Sequence, residues 1–313
     1  MWIERWQVPL YLGALGLGAL IGLVLPDDAA GIDVAITPSL MLLLYATFLA
    51  VPFARIRESV RDVRFLGAAL ILNFIVVPVV VFGLSRFVSS DDALLVGVLL
   101  VLLTPCIDYV MVFTRIADGD AARLLAASPV LMLVQILLLP VFLVAFADDA
   151  AVAAIDWTPF AEAFVLLIVT PLGLSIATQV MAARLRAAER LMTVMEALMV
   201  PLMMVTLFVV TASQIGEVVD AADRLVTVIP IYVAFLVVMP VLGSMVGRIG
   251  RQAIPARRAL AFSGTTRNSL VVLPLALALP ASLSLAAAVV VTQTLVELVG
   301  MVALTRIVPR LIR

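Results

Sequence analysis

The sequence predicts an all-α integral membrane protein: ten transmembrane helices in two inverted five-helix repeats, with helices four and nine broken and crossing near mid-membrane. Three observations carry that prediction. Of the 313 residues, 65% are apolar and only 13% are charged, too few charges to cover a water-facing surface. Cutting the chain at its charge clusters leaves ten apolar segments of about 18 to 26 residues, each long enough to cross a bilayer. Finally, Pro9 and Pro171, Pro78 and Pro240, and the interruptions at Pro105 and Arg267 are each 162 residues apart. Local context agrees, with VPL around Pro9 against TPL around Pro171, and IVVPVV around Pro78 against VVMPVL around Pro240. Because each half has an odd number of spans, the second copy enters the membrane from the opposite side. The repeats comprise residues 1–156 and 157–313 of a single membrane domain.

The segments fall near residues 7–25, 36–54, 65–86, 92–115, 121–146, 158–181, 187–213, 224–247, 256–279 and 281–305. Ten is an even number, so both termini share a side and positive charge should alternate from loop to loop. It does. Of the 20 basic residues, Arg86 and Arg224 fall on the outer face, Arg267 lies inside a span, and the rest gather on the inner face from Arg5 to Arg313. The outer loops carry Asp27, Asp28, Asp91, Asp92, Asp148 and Asp220 instead. This pattern predicts a multi-pass plasma (inner) membrane protein with cytoplasmic N- and C-termini. The first apolar run, Val8 to Leu25, is followed by an acidic loop rather than a small-residue cleavage site, so it reads as a retained span.

In chain order, segment one holds Gly18 and Gly22 with small neighbours, a spacing that lets two helices pack closely. Segment two opens at Thr37-Pro38 and closes at Pro52. Segment three carries a lone amide, Asn73, as an interhelical hydrogen-bonding or cavity-lining group, then Pro78. Segment four contains TPCID, where Pro105 removes a backbone donor ahead of Cys106 and Asp108, so the helix breaks there. Glu162 lies near the outer end of segment six, within reach of water, whereas Glu196 sits near the middle of segment seven. Segment nine encloses AFSGTTRNSLVVLP, whose Thr265, Thr266, Asn268 and Ser269 weaken a helix and offer hydrogen bonds around Arg267. Segment ten carries Glu297.

A cation at the depth of Arg267 costs at least roughly a few kcal/mol unless it is compensated. Asp108 is its natural partner if the two broken helices cross, and Glu297 is the other candidate. Glu196 and Glu297 are each expected to be paired or to line a cavity, because lipid does not tolerate an ionised carboxylate. Cys106 reads either as a small buried hydrophobe or as a soft sulfur ligand at a helix start. Free amides at the second break suit an anion or a neutral polyhydroxy species. No Walker A, HExxH or GxSxG motif occurs, and with one cysteine and no histidine the chain offers neither an internal disulfide nor the common zinc and haem ligand sets. The net charge of −1 makes no case for nucleic acid. Two broken helices at pseudo-symmetric positions of inverted repeats are the frame of a secondary transporter.

TPCIDYVMVFTRIADGDA and FSGTTRNSLVVLPLALALP resemble the fourth and ninth helices of the bile acid:sodium symporter superfamily. LVELVGMVALTRIVPRL is similar to the tenth helix of that superfamily's arsenite permeases of the Acr3 type. The resemblance covers essentially the whole chain and implies a panel domain and a core domain with substrate moving between them. It places Cys106 at the permeases' cysteine beside the break and Glu297 at their tenth-helix glutamate. It also implies departures. The first sodium site of bile acid transporters falls on Val110, Met111, Leu124 and Ser128, the glutamate shared by both sodium sites on Ser263, and the neighbouring glutamine on Arg267. The permeases' ninth-helix glutamate falls on Leu270. A guanidinium at Arg267 would fill the space and supply the charge of a bound cation, which implies sodium-independent transport.

The expectation is therefore a cofactor-free, non-enzymatic carrier extruding arsenite or a similar metalloid or oxyanion. Coupling to protons would run through Asp108, Glu196 or Glu297, and Pro105, Cys106, Thr265, Thr266, Arg267, Asn268 and Ser269 would form the substrate site. The alternative is an organic-anion carrier in which Arg267 binds a carboxylate and Cys106 only packs; a transport-inactive membrane sensor or scaffold is the third reading.

Overall fold

Long apolar runs away from water have one low-cost backbone solution, the α-helix, which satisfies its own N–H and C=O groups. The computed structural model describes residues 2–25, 31–51, 53, 61–106, 109–147, 152, 155 and 157–313. Among these it is all-helical. The helices are α1 (Trp2–Val24), α2 (Ile36–Ala50), α3 (Val63–Ile71), α4 (Val77–Ser85), α5 (Asp92–Leu102), α6 (Val110–Ile116), α7 (Ala121–Phe146), α8 (Trp157–Phe164), α9 (Thr170–Ala182), α10 (Arg186–Asp220), α11 (Ala222–Leu225), α12 (Ile229–Ile249), α13 (Ile254–Thr265), α14 (Ser269–Leu277) and α15 (Leu285–Leu311). Among the described residues, 6 helical runs are long and apolar enough to cross a membrane: 63–88, 121–146, 157–182, 186–220, 222–249 and 281–311.

Prolines shape these runs without ending all of them. A π turn at Leu72–Val76 joins α3 to α4, and another at Val165–Val169 joins α8 to α9. Each ends two residues before a proline, Pro78 or Pro171. Proline lacks an N–H and its ring crowds the carbonyl four residues back, so the wider turn gives the ring room and the helix continues.

The helices pack as two bundles. One contains α1, α2, α9 and α10; the other contains α3 to α7 and α12 to α15, and α10 lies against α15 at the seam between them. In the first bundle α1 packs against α10, closely at Gly18 and Gly22. A Cβ placed on Gly22 would lie 2.2 Å from the Ala212 carbonyl oxygen, and one on Gly18 would lie 2.7 Å from that of Phe208. These glycines are packing residues, as their spacing predicts.

Two polar staples close the ends of the second bundle. Arg258 of α13 donates to the carbonyls of Ala117 (3.3 Å), Pro309 (3.3 Å) and Ile312 (3.1 Å), gathering the C-terminal ends of α6 and α15. At the other end Asp91 caps α5 by accepting from Leu94 N–H (3.2 Å) and pairs with Arg224 of α11.

Candidate functional site

Both predicted breaks are present. α5 stops at Leu102 and the chain resumes as α6 at Val110, while α13 stops at Thr265 and α14 starts at Ser269. Pro105 accounts for the first break. The second contains no proline. There the side chains compete with the backbone: Thr265 Oγ1 donates to the Ala261 carbonyl (2.6 Å), Thr266 Oγ1 donates to that of Phe262 (2.9 Å), and Asn268 Oδ1 accepts from Val271 N–H (3.3 Å) to cap α14.

The two interruptions meet as an antiparallel bridge between Pro105 and Arg267. Cys106 N–H donates to the Thr266 carbonyl (3.2 Å), and Asn268 N–H donates to the Thr104 carbonyl (2.9 Å). Adding 162 to the first-half numbers and subtracting it from the second-half numbers turns each of these bonds into the other. The same shift turns the Thr104 Oγ1 bond to Leu100 (2.8 Å) into the Thr266 Oγ1 bond to Phe262. The crossing is locally two-fold.

Unwound backbone away from water needs partners for its polar groups. Arg267 N–H donates to Glu297 Oε2 (2.9 Å), and the Arg267 carbonyl accepts from the Tyr109 hydroxyl (2.8 Å). That hydroxyl also lies 2.5 Å from Glu297 Oε1, and Gln293 Nε2 donates to Glu297 Oε2. Glu297, projecting from α15, therefore ties the broken main chain of segment nine to the start of α6.

The Arg267 side chain is fully buried. Nη2 donates to the Ser263 carbonyl (2.6 Å) and to Asn73 Oδ1 (3.0 Å), and Nη1 donates to the Leu102 carbonyl (3.4 Å). The cation also lies over Phe235, 5.5 Å from the ring centroid. Asn73 in turn donates to Ser263 Oγ (3.0 Å), so the lone amide of segment three does bond between helices. Asn73 and Phe235, which flank the guanidinium, are themselves 162 residues apart. Among the described residues the ion pairs lie elsewhere: Arg123 with Asp62 and Asp120, Arg224 with Asp91, and Arg258 with Asp118. Among the described residues, neutral dipoles and a π face contact the guanidinium directly. Arg267 Nε, Asn268 Nδ2 and Gln293 Oε1 are buried at the crossing without a hydrogen-bond partner among the described residues, two donors and one acceptor.

The structure differs from the expected pairings in two ways, at Glu297 and at Glu196. Glu297 meets Arg267 through the main-chain N–H rather than the guanidinium: α15 runs beside the break, and the side chain extends away toward Asn73 and Phe235. Asp108, the other expected partner, lies outside the described residues. Glu196 is exposed and takes no part in the crossing. The reason is helix length: α10 has 35 residues, about 52 Å at 1.5 Å per residue, which puts Glu196 in its first third rather than at mid-span. Cys106 is buried and outside any disulfide, with its backbone in the bridge. Ser269 Oγ accepts from Thr294 Oγ1 of α15 (2.7 Å).

Sequence reasoning missed Tyr109, Gln293 and Phe235 as members of the cluster, and named Ser263 only as the position of a family sodium-site glutamate. Phe235 had a signal, its 162-residue offset from Asn73. Tyr109 had a weaker one, a phenol immediately beyond a break whose carbonyls need donors.

An apolar helical bundle that encloses a polar crossing of two interrupted helices has the architecture of a multi-pass membrane protein. Residues 37–221 match the model of the Sodium Bile acid symporter family, more than half of the chain, and the chain belongs to that family. Over 114 residues, 36% of the chain, it is 29% identical to the Arsenical-resistance protein Acr3 of Corynebacterium glutamicum. The match spans 30% of that relative's length.

Proposed function

We propose that this chain is a sodium-independent secondary transporter that moves arsenite, or a similar small metalloid or oxyanion, out across the plasma (inner) membrane in exchange for protons. The observation that carries this reading is the composition of the crossing among the described residues: a permanent cation, Arg267, whose guanidinium bonds neutral groups, and one carboxylate, Glu297, bound to the main chain of the break. A fixed internal cation does the work of a dissociable one and removes the need for sodium. Glu297 is then the group whose charge changes. Pro105 and Cys106 on one side and Thr265, Thr266, Asn268 and Ser269 on the other offer a soft sulfur and hydrogen bonds to a small hydroxylated species. The likeness to an arsenical-resistance protein supports that substrate class.

The same reading takes the molecule as ten spans in two inverted repeats, 1–156 and 157–313, with both termini cytoplasmic. The reciprocal bonds at the crossing and the distribution of arginines support it. The two bundles act as panel and core. At their seam, Thr211 of α10, Ser269 and Leu270 of α14 and Thr294 of α15 help enclose a cavity of about 10 Å³, room for about one water, so substrate passage requires the bundles to part.

One observation favours an organic-anion carrier instead. The guanidinium has no described carboxylate partner and its Nε lacks an acceptor, so a substrate carboxylate would find a donor there. Arsenite accumulation by everted vesicles under an imposed proton gradient, with and without sodium, separates the readings. Sodium-independent accumulation lost in Cys106→Ser supports the metalloid exchanger. No arsenite accumulation, together with carboxylate uptake that survives Cys106→Ser and is lost in Arg267→Gln, supports the organic-anion carrier.

A further inference from the structure

We propose that Tyr109 is a hydrogen-bond switch that reports the protonation state of Glu297 to the helix break. The inference rests on Glu297 being the coupling carboxylate. It follows from counting protons. A phenol carries one hydrogen, yet the Tyr109 oxygen lies within bonding distance of two acceptors, the Arg267 carbonyl (2.8 Å) and Glu297 Oε1 (2.5 Å). Glu297 Oε2 is already occupied by the N–H of Arg267 and the amide of Gln293. When Glu297 is ionised, the single phenol hydrogen goes to its Oε1, and the Arg267 carbonyl loses that donor in a buried place. When Glu297 takes one proton from water at Oε1, the new O–H donates to Tyr109 Oη, and the phenol hydrogen turns to the Arg267 carbonyl. No bond of tyrosine is broken; one proton enters and the carboxylate charge is neutralised.

The consequence falls on the crossing itself. Arg267 is the residue bridged to Pro105, and its carbonyl is satisfied by Tyr109 in one state and left without that donor in the other. A buried carbonyl that loses a donor destabilises the arrangement that holds it. Protonation thus biases whether segments four and nine stay locked together. Among the described residues, the titratable or charged groups that interact with Glu297 are Tyr109 of α6's N-cap and Arg267 of the break, and Cys106 of the bridge stands beside Arg267; on α12, Tyr232 donates to the Val289 carbonyl (3.1 Å), two turns away on α15.

The test is difference infrared spectroscopy of the full-length protein in lipid nanodiscs through a pH titration. The expected result is a protonated-carboxyl C=O band that is absent in Glu297→Gln and moves to higher frequency in Tyr109→Phe, where the acid has lost its acceptor. If the band is present but identical in Tyr109→Phe, the switch is wrong while proton binding at Glu297 stands. If no pH yields a Glu297 band, both ideas fall. If Tyr109→Phe does not fold, ring-deuterated tyrosine in the unmodified chain keeps the question open to measurement: a tyrosine C–O band must move in step with the carboxyl band, and tyrosine bands constant through the titration overturn the proposal. Bands that respond as expected in a protein that fails to move arsenite would retain the switch and remove only the substrate.

Discussion

A guanidinium buried without a described counter-ion holds its place only if each side of it meets a dipole or a π face, and Arg267 meets both. Its two strongest contacts are Ser263 O and Asn73 Oδ1. Replacing Asn73 by leucine keeps the volume and removes the acceptor, which costs about 1–3 kcal/mol for a buried donor; thermal unfolding in detergent should show a clear fall in midpoint. Arg267→Lys is expected to behave worse than its charge suggests. One ammonium cannot replace a planar fork reaching Leu102, Asn73 and Ser263 together, and a lysine variant with wild-type stability and uptake would refute the cradle described here. At this scale the sequence was uneven. A charge inside an apolar run announces itself, as Arg267 and Glu297 did. Their partners did not, because Phe235 looks like any apolar residue of a span, Ser263 contributes a main-chain oxygen, and which atom of Arg267 Glu297 would find depends on the path of α15 beside the break.

Helices were legible where a residue type dictated the backbone. Pro105 forbids continuation, and the structure breaks within a few residues of it. The second break was legible from a run of helix-weakening polar residues, and it is shorter, three residues against seven between flanking helices. By contrast, Pro78 and Pro171 did not break their helices, because a π turn absorbs each; nothing local distinguishes a proline that will be absorbed from one that will not. The end of α10 was also misjudged, since its helix continues past Ser213 to Asp220 through Gly216, Val218 and Val219, whose low helix propensity hid the extension, and the place of Glu196 within the helix shifted accordingly. Close packing of α1 on α10 gives an element-scale prediction. Gly22→Ala places a methyl 2.2 Å from a carbonyl oxygen, an overpacking that costs about 1–3 kcal/mol and lowers the yield of folded protein. Gly13→Ala, on a part of α1 with no heavy atom within 4 Å of the new methyl, should express normally. Equal yields of the two variants would mean that α1 does not sit against α10 as described.

For the whole molecule, the question is whether the broken pairs count as spans. Neither α5 with 11 residues nor α6 with 7 is long enough alone, yet end to end they rise about 27 Å before the residues between them are added, close to the thickness of a hydrocarbon core. α13 with 12 residues and α14 with 9 reach about 32 Å by the same reckoning. The inverted-repeat reading requires both pairs to cross, in opposite directions, with their interruptions at one depth. That is a statement about sidedness and can be tested without a substrate. On a Cys106→Ser background, single cysteines at Ser89 and Ala278 should react with a membrane-impermeant maleimide from outside the cell, and cysteines at Asp118 and Arg251 only after access to the cytoplasmic face. Labelling of Ser89 and Asp118 from one side would make the first pair re-entrant; the same result at Arg251 and Ala278 would do so for the second. Either outcome removes the opposed polarity of the two halves, and with it the mechanical reason for placing Arg267 and Glu297 where the halves meet.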